Sequence, residues 1–253
     1  MSSTAVLGRA PFGRLLVTEA KLLGREPLAL FWGIVFPLLL TVIFGLATSG
    51  SHDKKLGGLR LIDVQVPVMM VFVLTVLGLQ ALPATLASYR EKGVLRRMST
   101  TPVAPSLLLG ADVAINAIVI LSALALITVV SRVAFDVNLP SQAIGFALAL
   151  TLGAVATLAL GATVAAVAWS ARAASAIGTL LFFPMMFFAG LWVPRQLMSS
   201  GLRSVSDYTP LGATVASVQD TMRGNWPHPA HLIVLGVYAL ALSLVASRVF
   251  RWE

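Results

Sequence analysis

The stretch "VPVMMVFVLTVLGLQALPATLASYREKGVLRRMSTTP", Val66 to Pro102, begins as a long apolar run and ends as a basic segment punctuated by glycine and proline. A helix needs about 20 apolar residues to cross the hydrocarbon layer of a membrane, and the run supplies them before the charge arrives. Another apolar run starts at residue 107, so the basic segment reads as the turn of a membrane hairpin. Worked outward, the same criterion finds six spans, at 28–48, 64–87, 107–130, 142–168, 175–193 and 230–247. Composition agrees: 58% of the 253 residues are hydrophobic and 11% charged. The expected fold is an all-α polytopic membrane protein with six transmembrane helices, built as a single unit over 1–253.

Cation placement orients the spans. With the N-terminus inside, the inner segments hold Arg9, Arg14, Lys21, Arg25, Arg90, Lys92, Arg96, Arg97, Arg172, Arg248 and Arg251, eleven of the 18 Lys and Arg. Both termini are therefore expected in the cytoplasm, with the 88–106 segment facing it. The net charge of +8 is spread among loops between spans, which suits anionic lipid and excludes a nucleic-acid partner. The first span is longer than the apolar core of a secretion signal and is expected to be retained. Before it, Phe12, Leu16, Ala20 and Leu23 share one helical face, and Arg14, Thr18, Lys21 and Arg25 the other, the pattern of an amphipathic helix lying in the membrane interface over 1–27. Glu19 sits beside the apolar face without a cation four residues on. The longest external segment, 194–229, has enough apolar and small residues for short helices that dip into or re-enter the outer interface.

Chemistry is sparse. No phosphate-binding loop is present, so this chain binds no nucleotide itself. The absence of cysteine removes thiolate chemistry; His52, His228 and His231 fall in or at the edge of external loops, and His228 and His231, three apart, have no acidic residue close in sequence, so no metal site is expected. Apart from His231 at the outer edge of the sixth span, the spans carry neither His nor Lys to serve as the base of a hydrolase. Intramembrane polar residues are costly and so are candidates: Asp112 with Asn116 one turn further on, and Gln80 in the second span. They serve either as packing glue between helices or as an ion relay. In the fifth span, Pro184 sits among Phe182, Phe183 and Phe187, bulky groups beside an expected bend that could line an apolar passage. Pro37 and Pro83 are expected to bend the first two spans in the same way.

The basic segment combines an apolar patch of Val94, Leu95 and Met98 with Arg90, Glu91, Lys92, Arg96 and Arg97, a pivot at Gly93, and Pro102 and Pro105 beyond. Cations alone would anchor a loop; an acidic residue, an apolar knob and rigid flanks suit docking into a groove on another protein. Glu91-Lys92-Gly93, Leu95-Arg96-Arg97 and Thr101-Pro102 resemble the signature that follows the second span in ABC-2 type transporter permeases. The amphipathic N-terminal helix, the Pro184-bearing fifth span and "YTPL" (Tyr208 to Leu211) extend the resemblance over nearly the whole chain, nearest the daunorubicin-resistance-like exporters of bacteria.

The resemblance implies a partner. In such exporters a separate ATPase subunit carries ATP and Mg, and this chain would hold no cofactor. The 88–106 segment would be the coupling region contacting the ATPase, and Arg14, Glu19, Lys21 and Arg25 would belong to the connecting helix. Two permease chains, identical or not, would pass a hydrophobic small molecule or lipid between their second and fifth spans, past Gln80, Phe182, Phe183, Pro184 and Phe187. Two alternatives stand beside this: a permease for polysaccharide or glycolipid, and an ion-coupled secondary transporter built on Asp112.

Overall fold

The computed structural model describes residues 13, 16–18, 20–22, 24, 27–48, 52–94 and 105–249, with the backbone alone at 29 and 105–109. Arg14, Glu19 and Arg25 of the N-terminal helix, and Leu95, Arg96, Arg97, Thr101 and Pro102 of the basic segment, lie outside the described residues. Among those described, regular structure is helical apart from an isolated bridge between Asp53 and Leu59.

Helix α1 joins Pro27–Leu30, a π-helical turn Phe31–Val35, and Phe36–Ala47. Helix α2 joins Leu61–Thr75, a second π-helical segment Val76–Ala81, and Leu82–Glu91. There follow α3 (Pro105–Phe135), α4 (Ala143–Val167), α5 (Ala171–Ala189), α6 (Ser200–Asp207), α7 (Pro210–Met222) and α8 (Pro229–Val249). Five of the described helices are long and apolar enough to cross a membrane: Leu61–Glu91, Gly110–Phe135, Ala143–Val167, Ala171–Ala189 and Pro229–Val249. The first expected span appears as α1, whose apolar helix Phe31–Ala47 is shorter.

Prolines act differently along the bundle. A proline has no N–H and its ring crowds the carbonyl four residues back, so a helix either bends there or widens the preceding turn. Ahead of Pro37 and Pro83 the chain widens: Phe36 N–H donates to the carbonyl of Phe31, and Leu82 N–H to that of Leu77, each five residues back. At Pro67 and Pro184 helices α2 and α5 instead continue as α-helix.

The widened turn in α2 has a packing consequence. With Leu82 N–H given to Leu77, and no N–H on Pro83, the carbonyl of Gly78 receives no bond from either residue. Glycines come up against this turn: a Cβ on Gly161 of α4 would overlap the Gly78 oxygen, and one on Gly178 of α5 would overlap the Leu79 oxygen. Close backbone approach of this kind permits weak Cα–H···O contacts.

Helix α2 is the hub. Within its apolar window 89% of residues are buried in the chain, whereas the other four span-length helices bury 17–33%. Ile118, Leu121, Val129, Leu180, Ile233, Val237 and Leu240 face outward, an apolar surface that a lipid environment covers and water does not. Helix α7, about 20 Å long at 1.5 Å per residue, is too short to span, yet Pro210 to Gln219 are all buried. It is enclosed by α2, α4, α5 and α8. Its start is the Thr209 cap, whose Oγ1 accepts from Gly212 N–H at 3.1 Å, with Pro210 at the first helical position.

Candidate functional site

Along the C-terminal half of α2, Val76, Gln80, Ala84 and Ser88 recur at helical spacing, with Thr85 and Tyr89 beside them. These residues form one wall of a cavity of about 610 Å³. The other walls are Pro27, Leu28 and Trp32 of α1, Asp112, Ile115 and Asn116 of α3, and Ser175 and Thr179 of α5, with Leu22 and Lys92 also lining it. The structure thus brings together three sequence candidates that lie on two helices, Gln80, Asp112 and Asn116. Gln80 is placed by the π-helical segment, a distortion that frequently marks functional positions. Asp112 is 6% and Asn116 5% exposed. The Asn116 Nδ2 donates to the carbonyl of Asp112 at 2.9 Å. Because a carbonyl only accepts, that bond fixes the amide's orientation and leaves Oδ1 facing away. Oδ1 is buried without a hydrogen-bond partner among the described residues.

At the Glu91 end of the bundle, Arg90 and Glu91 turn toward their own chain. Arg90 Nη1 donates to the carbonyl of Ala166 at 3.5 Å and Nη2 to that of Ala168. The Glu91 Oε2 accepts from the backbone N–H of Ala171 at 3.1 Å, in the first turn of α5, where Ser170 also caps by accepting from Ala173 N–H at 3.1 Å. A carboxylate at a helix N-terminus is favoured by the helix dipole as well as by the hydrogen bond. Gly93 then takes a φ of 65°, a left-handed conformation suited to glycine, and turns the chain away. Lys92 is exposed, as are Trp169 and Arg172 in the facing turn. In the N-terminal helix, Lys21 is exposed and Leu16 half-buried.

The aromatic candidates part company. Phe182 is buried and meets Phe72 edge-on at 5.6 Å, joining α5 to α2, and Phe72 in turn meets Phe36 of α1 at 5.5 Å. Phe183 is exposed and stacks on Trp192 at 6.0 Å, Phe187 lies edge-on to Phe188 at 5.4 Å, and Pro184 faces outward. Neither they nor Phe182 lines the cavity that holds Gln80.

Residues 11–222 match the ABC-2 type transporter family, a match that runs to the end of α7. The chain belongs to that family. It is also similar to YvfS of Bacillus subtilis (strain 168), named as a transport permease, at 19% identity over 239 residues, 93% of this chain and 95% of that relative. With its span-length apolar helices, this ABC-2 chain is a multi-pass membrane protein and a transport permease.

A polar layer at the opposite end of this permease escaped the sequence reading. Arg195, 6% exposed, pairs with Asp207, donates to the Ser206 hydroxyl, and donates to the carbonyl of Gly212 at 3.0 Å. Burial pushes its guanidinium below the ordinary arginine value, against the opposing hydrogen bond and charge of Asp207. His231 Nε2 stands 3.4 Å from Asp207, so the acidic neighbour missing from its local sequence arrives through the fold. Gln219 Nε2 donates to the carbonyl of Val64 at 3.1 Å, tying α7 to α2. Nearby, Arg60 grips Asp63 at 2.7 and 2.9 Å and donates to the carbonyl of Phe135 at 2.8 Å. The hydrogen bond to Asp63 is the largest influence on the Arg60 guanidinium and raises it above its ordinary value, against desolvation. The Arg60–Asp63 spacing alone was legible locally; the remaining partners lie too far apart in sequence for any periodicity to pair them.

Proposed function

We propose that this chain is the membrane subunit of a bacterial ABC exporter, moving a hydrophobic small molecule, antibiotic-like or lipid, out across the cytoplasmic membrane. ATP hydrolysis on a separate ATPase subunit drives it, and two permease chains form the working pair. The Glu91 end is cytoplasmic, and the segment from Arg90 through Gly93, Leu95, Arg96 and Arg97 to Thr101 and Pro102 receives the ATPase. The observation that carries this reading is the path of α2: it runs as one helix from Leu61 to Glu91 and is the most buried of the span-length helices. A push applied just beyond Glu91 enters the centre of the bundle directly, and through Arg90 and Glu91 it also reaches the start of α5.

A second reading, export of a glycolipid, draws on the hydroxyl and amide groups that line the cavity beside α2. A gradient-driven transporter draws on the buried Asp112.

Gentle purification of the tagged protein from its native membrane tests the first reading. An ATPase subunit should accompany the wild type and be lost from the Arg96→Glu, Arg97→Glu double variant, with membrane insertion intact. A correctly inserted variant that keeps its ATPase and transports normally would contradict docking at this segment.

A further inference from the structure

Helix ends meet around a second cavity, of about 490 Å³, at the end of the bundle away from Glu91. It lies between the start of α2, the end of α3, the loop that leads into α4, and the end of α7. Bonds between helices hold its rim: Arg60 Nη1 donates to the carbonyl of Phe135 at 2.8 Å, Gln142 Nε2 to that of Gly224 at 3.3 Å, and Gln219 Nε2 to that of Val64 at 3.1 Å. Two cations line the space, Arg132 in the last turn of α3 and Arg223 at the C-cap of α7. Helix dipoles favour cations at such ends, but they do not account for an open cavity between two of them. The carboxylate in the lining, Asp63, is neutralised: Arg60 Nη2 donates to its Oδ1 at 2.7 Å and Arg60 Nε to its Oδ2 at 2.9 Å. Arg132 Nη1 donates to Asp136 Oδ1 at 2.6 Å, an exposed pair and therefore a weak one. Arg223 pairs with none of the acids at this end, Asp53, Asp63, Asp136, Asp207 and Asp220, all of which are among the described residues.

We infer that this cavity binds the phosphate of an anionic amphiphile. The phosphate lies against Arg132 and Arg223, and the hydroxyl or amine groups of the head lie against Asn138 and Ser141, which also line the space. Guanidinium suits this task because its planar set of donors meets phosphate oxygens in pairs. The volume is of the size that holds a small organic group. Leu139 lines the cavity and is exposed, and Val133 and Ile144 on either side of it in the chain are exposed too, so the tail leaves over an apolar, lipid-facing surface. The site is separate from the cavity that holds Gln80, and only its placement in the outer leaflet rests on the permease reading. A phospholipid head group and a soluble phosphate ester share this chemistry.

The full-length protein, stripped of lipid in dodecyl maltoside, can be photolabelled with phosphatidylglycerol bearing a diazirine high in one acyl chain, and in parallel with the diacylglycerol of the same chains, which lacks the phosphate. Phosphatidylglycerol should label residues 132–144 at least about fivefold more than the diacylglycerol does, the order of one charge-assisted hydrogen bond. Arg223→Gln should remove most of that preference and Arg132→Gln part of it, in proteins whose thermal unfolding matches the wild type, since both side chains are exposed. Arg172→Gln, which changes an exposed cation at the other end of the bundle, should leave the preference unchanged. Equal labelling of 132–144 by the two lipids, wild-type labelling of both folded variants, or an equal loss in Arg172→Gln would each overturn the site. Adding soluble glycerol phosphate identifies the source: displacement of the label marks a site that takes the phosphate ester from water, persistence one that needs the lipid tail, and the phosphate assignment stands in both cases. Labelling needs no ATPase, so its outcome is independent of whether an ATPase accompanies the purified chain.

Discussion

Arg195 shows what a single residue can hold in place. Its guanidinium is buried between the end of α5 and the start of α7, where Asp207, Ser206 and the Gly212 carbonyl satisfy it. Removing one partner of a buried ion pair leaves the other charge stranded, so Asp207→Leu should destabilise the protein by about 3–5 kcal/mol. Joining it with Arg195→Met should recover part of that loss, which thermal unfolding of the two singles and the double in detergent would show as a non-additive cycle. Equal losses that simply add would mean that the pair contributes nothing beyond its separate parts. In sequence Arg195 looks like an ordinary loop cation after Pro194, because its partners lie up to 17 residues away. Asp112 and Asn116 were legible as one pair on one helix face; that Gln80 joins them across two helices was not.

At the scale of elements, the widened turn in α2 sets how closely three helices approach. Gly161 and Gly178 face backbone oxygens of that turn and leave no room for a methyl group. Gly161→Ala and Gly178→Ala should each cost about 1–3 kcal/mol of stability through overpacking. Gly236→Ala, where a Cβ meets nothing within 4 Å, should cost little and serves as the control. Comparison of the three unfolding midpoints checks this. The tie between α2 and α5 makes a functional prediction. Glu91→Ala should reduce transport per ATP hydrolysed by about threefold, the order of one hydrogen bond. Glu91→Gln, which keeps an acceptor oxygen for Ala171 N–H, should retain most of the coupling. Measuring transport and hydrolysis together separates the two variants. Prolines explain why element detail was only partly legible: Pro37, Pro67, Pro83 and Pro184 sit within apolar helices, and the sequence does not say which turns widen and which continue. The widened turn ahead of Pro83 meets glycines of α4 and α5, whereas Pro184, where the helix continues, faces outward.

The whole molecule follows from one inequality of burial. The span-length helices are all apolar, but only α2 is enclosed by its own chain, so a push applied at its end would enter the centre of the bundle. Hydropathy shows that a helix is apolar, and it cannot distinguish lipid from protein as the cover; that is why the long apolar helices were legible while the hub was not. Helix α7 falls in the 194–229 segment, whose apolar and small residues suggested short helices, and its enclosure comes from α2, α4, α5 and α8, which no local pattern specifies. The central claim is that ATP, through a partner, drives this bundle. Inside-out vesicles carrying the chain and its ATPase subunit should take up a fluorescent amphipathic amine only with ATP. Uptake should survive a protonophore and disappear with Arg96→Glu, Arg97→Glu. Uptake that proceeds without ATP, and stops when the proton gradient is collapsed or when Asp112 is changed to Asn, would contradict the account and favour a gradient-driven transporter.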